Sequence, residues 1–312
     1  MTFKISALVK SSVVLGTLLM ASGASAANPS PNVYSGRAEV YKQLDINSLE
    51  ALSTPEQIMT FKAPSNIAPT KIWKVLEHGE KLECLACIPV VSKLLYNSNP
   101  KTREISAWWL RRRIFGVFGP GQVYEQTLHT LGDSSETESH RVYAANALGE
   151  FLSGSGVPAL SAAVLGDESA LVRKAAVAGL ERLNSSGANG ELGLALGDGD
   201  ADVRLAALHA ATRINSFTDV ASVVALISDS SALVRRRSAE TLGVMKAADA
   251  VAGLMALGSP DQESDAAVRA AAIWALGQIG EPAARDVIAA AQQDDDASVR
   301  SAANVSARLL RL

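Results

Sequence analysis

Residues 167–183 read DESALVRKAAVAGLERL, and residues 198–214 read DGDADVRLAALHAATRI. Both carry an Asp, a Val-Arg pair that starts five residues later, and an Ala three residues after the Arg. The pair recurs at Val172-Arg173, Val203-Arg204, Val234-Arg235, Val268-Arg269 and Val299-Arg300, with spacings of 31, 31, 34 and 31. Looser copies centre on Arg141 and Arg103, which gives about seven units from Ile88 to the C-terminus. A fixed period of this length is the signature of a stacked repeat.

Positions around each Arg keep their register. Six residues before it stands Asp167, Asp198, Asp229 or Asp294; three after it stands Ala176, Ala207, Ser238, Ala272 or Ala303. Ten after it stands Leu183, Ile214, Met245, Ile279 or Leu310. Offsets of −1, +3 and +10 fall near one helical stripe. Each Arg therefore starts a helix of about four turns, preceded by a shorter one such as Val157 to Val164. The Asp is expected to cap the following helix, with the Arg free to pair with a neighbouring copy's Asp. Small residues let helices approach closely, and each unit buries its face only against its neighbours.

The pattern Asp-x-x-x-x-Val-Arg-x-x-Ala resembles the HEAT-like repeats of phycobilin lyases, over roughly Ile88 to Leu312. That resemblance implies an all-α fold, a right-handed α–α superhelix of about seven repeats behind an N-terminal helical cap. It says little about function, since such a fold hosts many. Deoxyhypusine hydroxylase is similar in repeat but holds iron on His-Glu pairs. The four histidines here are followed by Gly79, Thr130, Arg141 and Ala210, so that chemistry is not expected.

Residues 1–26 read as a secretory signal peptide. Lys4 and Lys10 precede a short apolar stretch, Ser12 to Met20, and the small-x-small site Ala24-Ser25-Ala26. The apolar run is far short of the ~20 residues a membrane span needs. Removal of the two lysines takes the net charge from −3 to −5. In a Gram-negative cell the destination is the periplasm. The acidic balance gives no basic stripe for nucleic acid.

Residues 27–87 do not follow the repeat. Ser48 to Phe61 and Pro69 to His78 read as short helices, the second ended by Gly79, that cap the exposed end of the stack. Ten of the fourteen aromatic residues after position 26 lie between Tyr34 and Tyr124. Trp109 occupies the Arg+6 position, where later copies carry Ala147, Gly179, Ala210, Thr241, Ala275 and Ser306. At Arg+5 the mixture of Trp108, Asn146, Ala178, His209, Glu240, Trp274 and Val305 reads as exposed, and by resemblance faces the concave side.

Two readings of this end are open. Trp108, Trp109, Phe115 and Phe118 pack under the cap, or they line an apolar pocket together with Trp73, Tyr96 and Tyr124. The triplets Arg111-Arg112-Arg113 and Arg235-Arg236-Arg237 are solvated helix faces, or contacts for an anionic head group or an acidic partner.

Cys84 and Cys87, in an oxidising compartment, are expected to form a disulfide that pins the cap. Ile88 stands where covalent haem attachment needs His, and two thiolates with His78 are too few ligands for a structural zinc or copper site. No nucleophile elbow, phosphate loop or paired His-Glu helix occurs, so neither an enzyme nor a cofactor is expected. The leading functional expectation is a periplasmic carrier of an apolar small molecule, a sterol or other lipid, handing over to a membrane transport protein. In layout alone the sequence resembles the periplasmic helical-repeat component of bacterial sterol-transport systems. The alternative is a protein-interaction scaffold that uses its concave face.

Overall fold

The computed structural model describes residues 53–62, 67–113, 121–184 and 186–311. All belong to the second of two compact units, residues 51–312. Among the described residues there are sixteen α-helices and no strand. In order they are α1 (Pro55–Met59), α2 (Pro69–His78), α3 (Ile88–Lys93), α4 (Pro100–Arg111), α5 (Gln122–Gly132) and α6 (Glu138–Phe151). Then follow α7 (Val157–Gly166), α8 (Ala170–Leu183), α9 (Asn189–Leu196), α10 (Ala201–Ala211) and α11 (Val220–Ala225). The last are α12 (Ala232–Met245), α13 (Val251–Leu257), α14 (Ala266–Ile279), α15 (Arg285–Ala291) and α16 (Ala297–Leu309).

From α3 onward the helices form seven pairs, a short first helix and a longer second one. Successive second helices α4, α6, α8, α10, α12, α14 and α16 stack on one another. The fold is the all-α solenoid that the period implied.

Local sequence sets the ends. Proline opens α1, α2, α3, α4 and α7, where its missing N–H is not needed. The side chains of Asp200, Asp265 and Asp296 accept the free N–H groups at the starts of α10, α14 and α16. These caps stand four residues before the Arg. The acid six before it, expected to be the cap, instead takes the backbone N–H two residues on: Ser169, Asp200, Ser231 and Asp296 bond to Asp167, Asp198, Asp229 and Asp294. Its free edge turns toward the previous repeat.

The core is a column of repeat-equivalent positions. Val172, Val203, Val234, Val268 and Val299 are buried, and so are Ala176, Ala207, Ser238, Ala272 and Ala303. Close stacking is enforced at glycine: a Cβ on Gly149 would lie 2.9 Å from the Gly179 Cα, so α6 and α8 touch backbone to backbone.

The described part of the cap continues this stack. Helix α2 packs on α4 as α4 packs on α6, and α1 touches α3, although neither carries the Val-Arg signature. Helix α2 ends at Gly79 as the sequence implied, whereas the expected Ser48–Phe61 helix is, in its described part, α1 plus a 3₁₀ turn at Thr60–Lys62. The leader at 1–26, Tyr34, Tyr41, Phe115 and Phe118 lie outside the described residues.

Candidate functional site: an open cleft beside a buried ladder

Each repeat is tied to the next by a fork of hydrogen bonds. Nε of Arg141, Arg173, Arg204, Arg235 and Arg269 donates to Asp167, Asp198, Asp229, Glu263 and Asp294, at 2.9, 2.7, 2.8, 2.6 and 2.9 Å. Nη2 donates to the second carboxylate oxygen in every case. Nη1 turns back to a backbone carbonyl at the start of its own helix. Glu263 fills the position that in the other copies is Asp. Hydrogen bonds from Arg173, Arg235 and Arg269 hold Asp198, Glu263 and Asp294 below the usual carboxylate range, against the opposing effect of burial. This ladder is structural.

The aromatic end is mostly packed. Trp109 is wholly buried, and its Nε1 donates to the Gly79 carbonyl at 2.9 Å. The Arg113 guanidinium lies over the same ring, 3.6 Å from its centroid, and donates to the carbonyls of Gly79, Glu80, Leu82 and Trp109. Burial pushes Arg113 down to about 10. The large ring in a small-residue slot thus meets the turn that closes the cap. Tyr124 is buried with its ring 5.9 Å from that of Phe151. Tyr96 is half-buried, its hydroxyl 3.3 Å from that of Thr130 and its ring 5.2 Å from His140. Trp73 and Trp108 are half-buried, Trp73 with the Lys101 ammonium 5.9 Å from its ring.

The arginine triplets are not the uniform charged faces they looked. Arg113 is buried and Arg112 pairs with Glu80 at 3.0 Å. Arg235 belongs to the ladder, while Arg236 and Arg237 both reach Glu240. Cys84 and Cys87 are joined, with Cα atoms 5.3 Å apart, across a 3₁₀ turn ahead of α3. Cys87 is buried, its sulfur 3.9 Å from the Pro55 carbonyl of α1, so the bridge sits where cap meets first repeat.

A large opening lies elsewhere. A cleft of about 870 Å³ runs across α4, α6 and α8 and is floored by Ala107, Ala147, Ala178 and Gly179. Its walls are the polar Arg103, Glu104, Tyr143, Asn146, Glu150, Glu181, Arg182, Asn184 and Arg213 together with Leu95, Pro100, Gly149 and Leu152. None of Trp73, Tyr96, Trp108, Trp109 or Tyr124 lines it. Of the Arg+5 positions, Asn146 and Ala178 line it, whereas Trp108 and His209 on the neighbouring copies do not. Ion pairs run from Arg182 to Glu150 and from Arg213 to Glu181, both at 2.6 Å, and the His209 Nδ1 lies at hydrogen-bond distance, 2.9 Å, from Glu181. Burial pushes the Glu150 carboxyl up, against the pull of Arg182.

With this geometry, the family is clear from the sequence match. HEAT repeats match residues 124–210 and 220–308, more than half of the sequence. The chain belongs to the HEAT-repeat family. No curated protein matches it in sequence. Among solved structures, YibA of Escherichia coli superposes at a TM-score of 0.54, 17% identical over 89% of this chain and 99% of its own. Kap95p, solved with RanGDP, gives 0.55 at 13% identity over 83% of this chain and 41% of its own. The phycocyanin lyase complex CpcE–CpcF of Nostoc gives 0.39 at 20% identity over 72% and 94%. These likenesses concern the HEAT fold, which generally serves as a non-catalytic scaffold. Among the described residues no group of three or more His, Cys, Asp or Glu is placed to hold a metal, and no helix is long and apolar enough to cross a membrane.

Proposed function

We propose that this protein is an exported protein-interaction scaffold of the periplasm that holds a partner in the cleft across α4, α6 and α8. The observation that carries this reading is the cleft's lining. Charged and amide side chains stand on successive repeats and are fixed in place by cross-helix ion pairs. Such a surface suits a polypeptide with its own polar groups, whereas a water-shedding lipid would desolvate those charged groups without offering them hydrogen bonds. Solenoids use extended concave surfaces in this way. Kap95p, similar in fold, is a protein that binds a protein. The leader-like residues 1–26 and the Cys84–Cys87 bridge support export to an oxidising compartment. Of the aromatics on which the apolar-carrier expectation rested, Trp109 and Tyr124 are buried in the core, while Trp73, Tyr96 and Trp108 are half-buried.

A photo-cross-linking residue at Ala178, inside the cleft, tests the reading in intact cells. One dominant protein adduct, absent when the probe is moved to the exposed Ser301 on the last helix, is the expected result. Adducts that are extractable as lipid, or none at all, would sink it.

A further inference from the structure

We propose that the cleft takes a carboxylate of its partner, an Asp or Glu side group or a free C-terminus, on the Nε and Nη2 edge of Arg103. This deepens the scaffold reading and rests on it.

Arg103 is the first arginine of the ladder series and keeps the ladder's geometry. Its Nη1 donates to the Asn97 and Ser98 carbonyls at 2.7 and 2.9 Å. Arg173 does the same with the Asp167 and Glu168 carbonyls. In five later copies the remaining edge holds the acid six residues before the next repeat's Arg. Six residues before Arg141 the sequence has Ser135. No carboxylate among the described residues lies within ion-pair distance of Arg103. The nearby acids are engaged elsewhere: Asp133 with Ser135, Glu104 with Lys101 at 2.8 Å, and Glu150 with Arg182 at 2.6 Å. Of the three arginines that line the cleft, Arg182 and Arg213 are neutralised by Glu150 and Glu181, while Arg103 is not.

A second departure coincides with the first. Two residues after the Arg, later copies carry Ala175, Ala206, Arg237, Ala271 and Ala302, but the second copy carries Tyr143. The Arg103 guanidinium stacks on that ring, 4.0 Å from its centroid, and both line the cleft. A ring holds a guanidinium by its face and leaves the in-plane donors free, which is the orientation a two-pronged carboxylate contact needs. Hydrogen bonds to their acids raise Arg141, Arg173, Arg235 and Arg269 above the usual arginine value. Arg103 is lowered instead, chiefly by burial, with Tyr143 pulling the other way. Arg300 likewise pairs with no acid and stacks on no ring among the described residues, and it does not line this cleft, which makes it the internal control.

Two measurements on the full-length protein test this. The first follows the Nε–Hε signal of Arg103 by ¹⁵N NMR, assigned by its loss in Arg103→Gln. The probes are acetyl-Gly-Asp-Gly-amide, acetyl-Gly-Asn-Gly-amide and acetyl-Gly-Gly-Gly with a free C-terminus. A saturable downfield shift with at least one carboxylate probe is expected, about ten-fold tighter than with the Asn peptide. Which carboxylate probe binds separates a side-group acid from a terminal one. An equal response to the Asn peptide, or the same response at Arg300, overturns the proposal.

The second repeats the in-cell capture at Ala178 in the backgrounds Arg103→Gln, Arg103→Lys and Arg300→Gln. Capture should fall about ten-fold with Gln, partly with Lys, and remain with Arg300→Gln. Undiminished capture with Arg103→Gln overturns the carboxylate contact and leaves the scaffold standing. Absence of capture in every background removes the scaffold, and the NMR titration still decides the carboxylate. Should Arg103→Gln fail to fold, Arg103→Lys and Tyr143→Ala carry both arms.

Discussion

The later repeats, α7 to α16, and the first helices, α2 to α6, are built on one stacking plan but differ in what holds the plan together. In the later repeats the same fork recurs almost unchanged, from Arg173–Asp198 to Arg269–Asp294. In the earlier ones, apart from the Arg141–Asp167 fork, the contacts are individual. Trp109 bonds to Gly79, Arg113 collects four backbone carbonyls, a disulfide closes the turn before α3, and Arg103 rests on Tyr143. A repeated contact needs only to stack, so one solution serves every copy. A contact made once must answer to something that occurs once: an end of the stack, or a partner.

Acid should separate the two regions most strongly. Asp198, Glu263 and Asp294 have folded-state values below their unfolded ones, so their contribution is complete above the unfolded values of about 4 and lost as pH falls through the folded values. Several rungs then fail together. Trp274 fluorescence, which reports the later repeats, should change together with helix content as pH falls below about 4. Full retention of helix at pH 2 would break the idea that the ladder holds this half.

At the other end, Trp109→Ala should destabilise by about 4 kcal/mol, through lost burial and the cavity left under the Arg113 guanidinium. Urea unfolding would measure it. A loss below 1 kcal/mol, on the order expected of a surface site, would put the ring in an adaptable pocket instead. Removing one rung by Asp294→Ala leaves Arg269 buried without its partner and should cost about 3 kcal/mol. Pairing it with Arg269→Met should recover part of that loss; simple addition of the two effects would deny the coupling. The Cys84–Cys87 bridge closes so short a loop that its reduction should lose only about 2 kcal/mol, read as faster hydrogen exchange in α1 and α3. Smallest of all, Tyr143→Ala should alter stability by under about 1 kcal/mol, so a larger loss would make the Arg103 stack a structural contact.

Much of this was legible in the sequence because repetition averages out local noise. Val172 and its equivalents announced the core, and the spacing located every second helix from α8 to α16 except α10's early end at Ala211. The cleft was only half legible. Arg+5 pointed at Asn146 and Ala178, but the aromatic cluster drew attention to Trp109, whose size signalled burial rather than binding. Ser135 and Tyr143 were readable as departures from the repeat. Their meaning needed both to be seen beside one guanidinium.

The sequence by itself determined the period, the helix pairs and the faces that stack, since these follow from side-chain spacing along one helix. Tertiary structure alone decided which edge of each acid turns to which arginine, that α2 joins the stack without the signature, and where the opening lies. Those outcomes depend on groups 25 or more residues apart meeting in space, as Arg173 meets Asp198, and no local pattern records such a meeting.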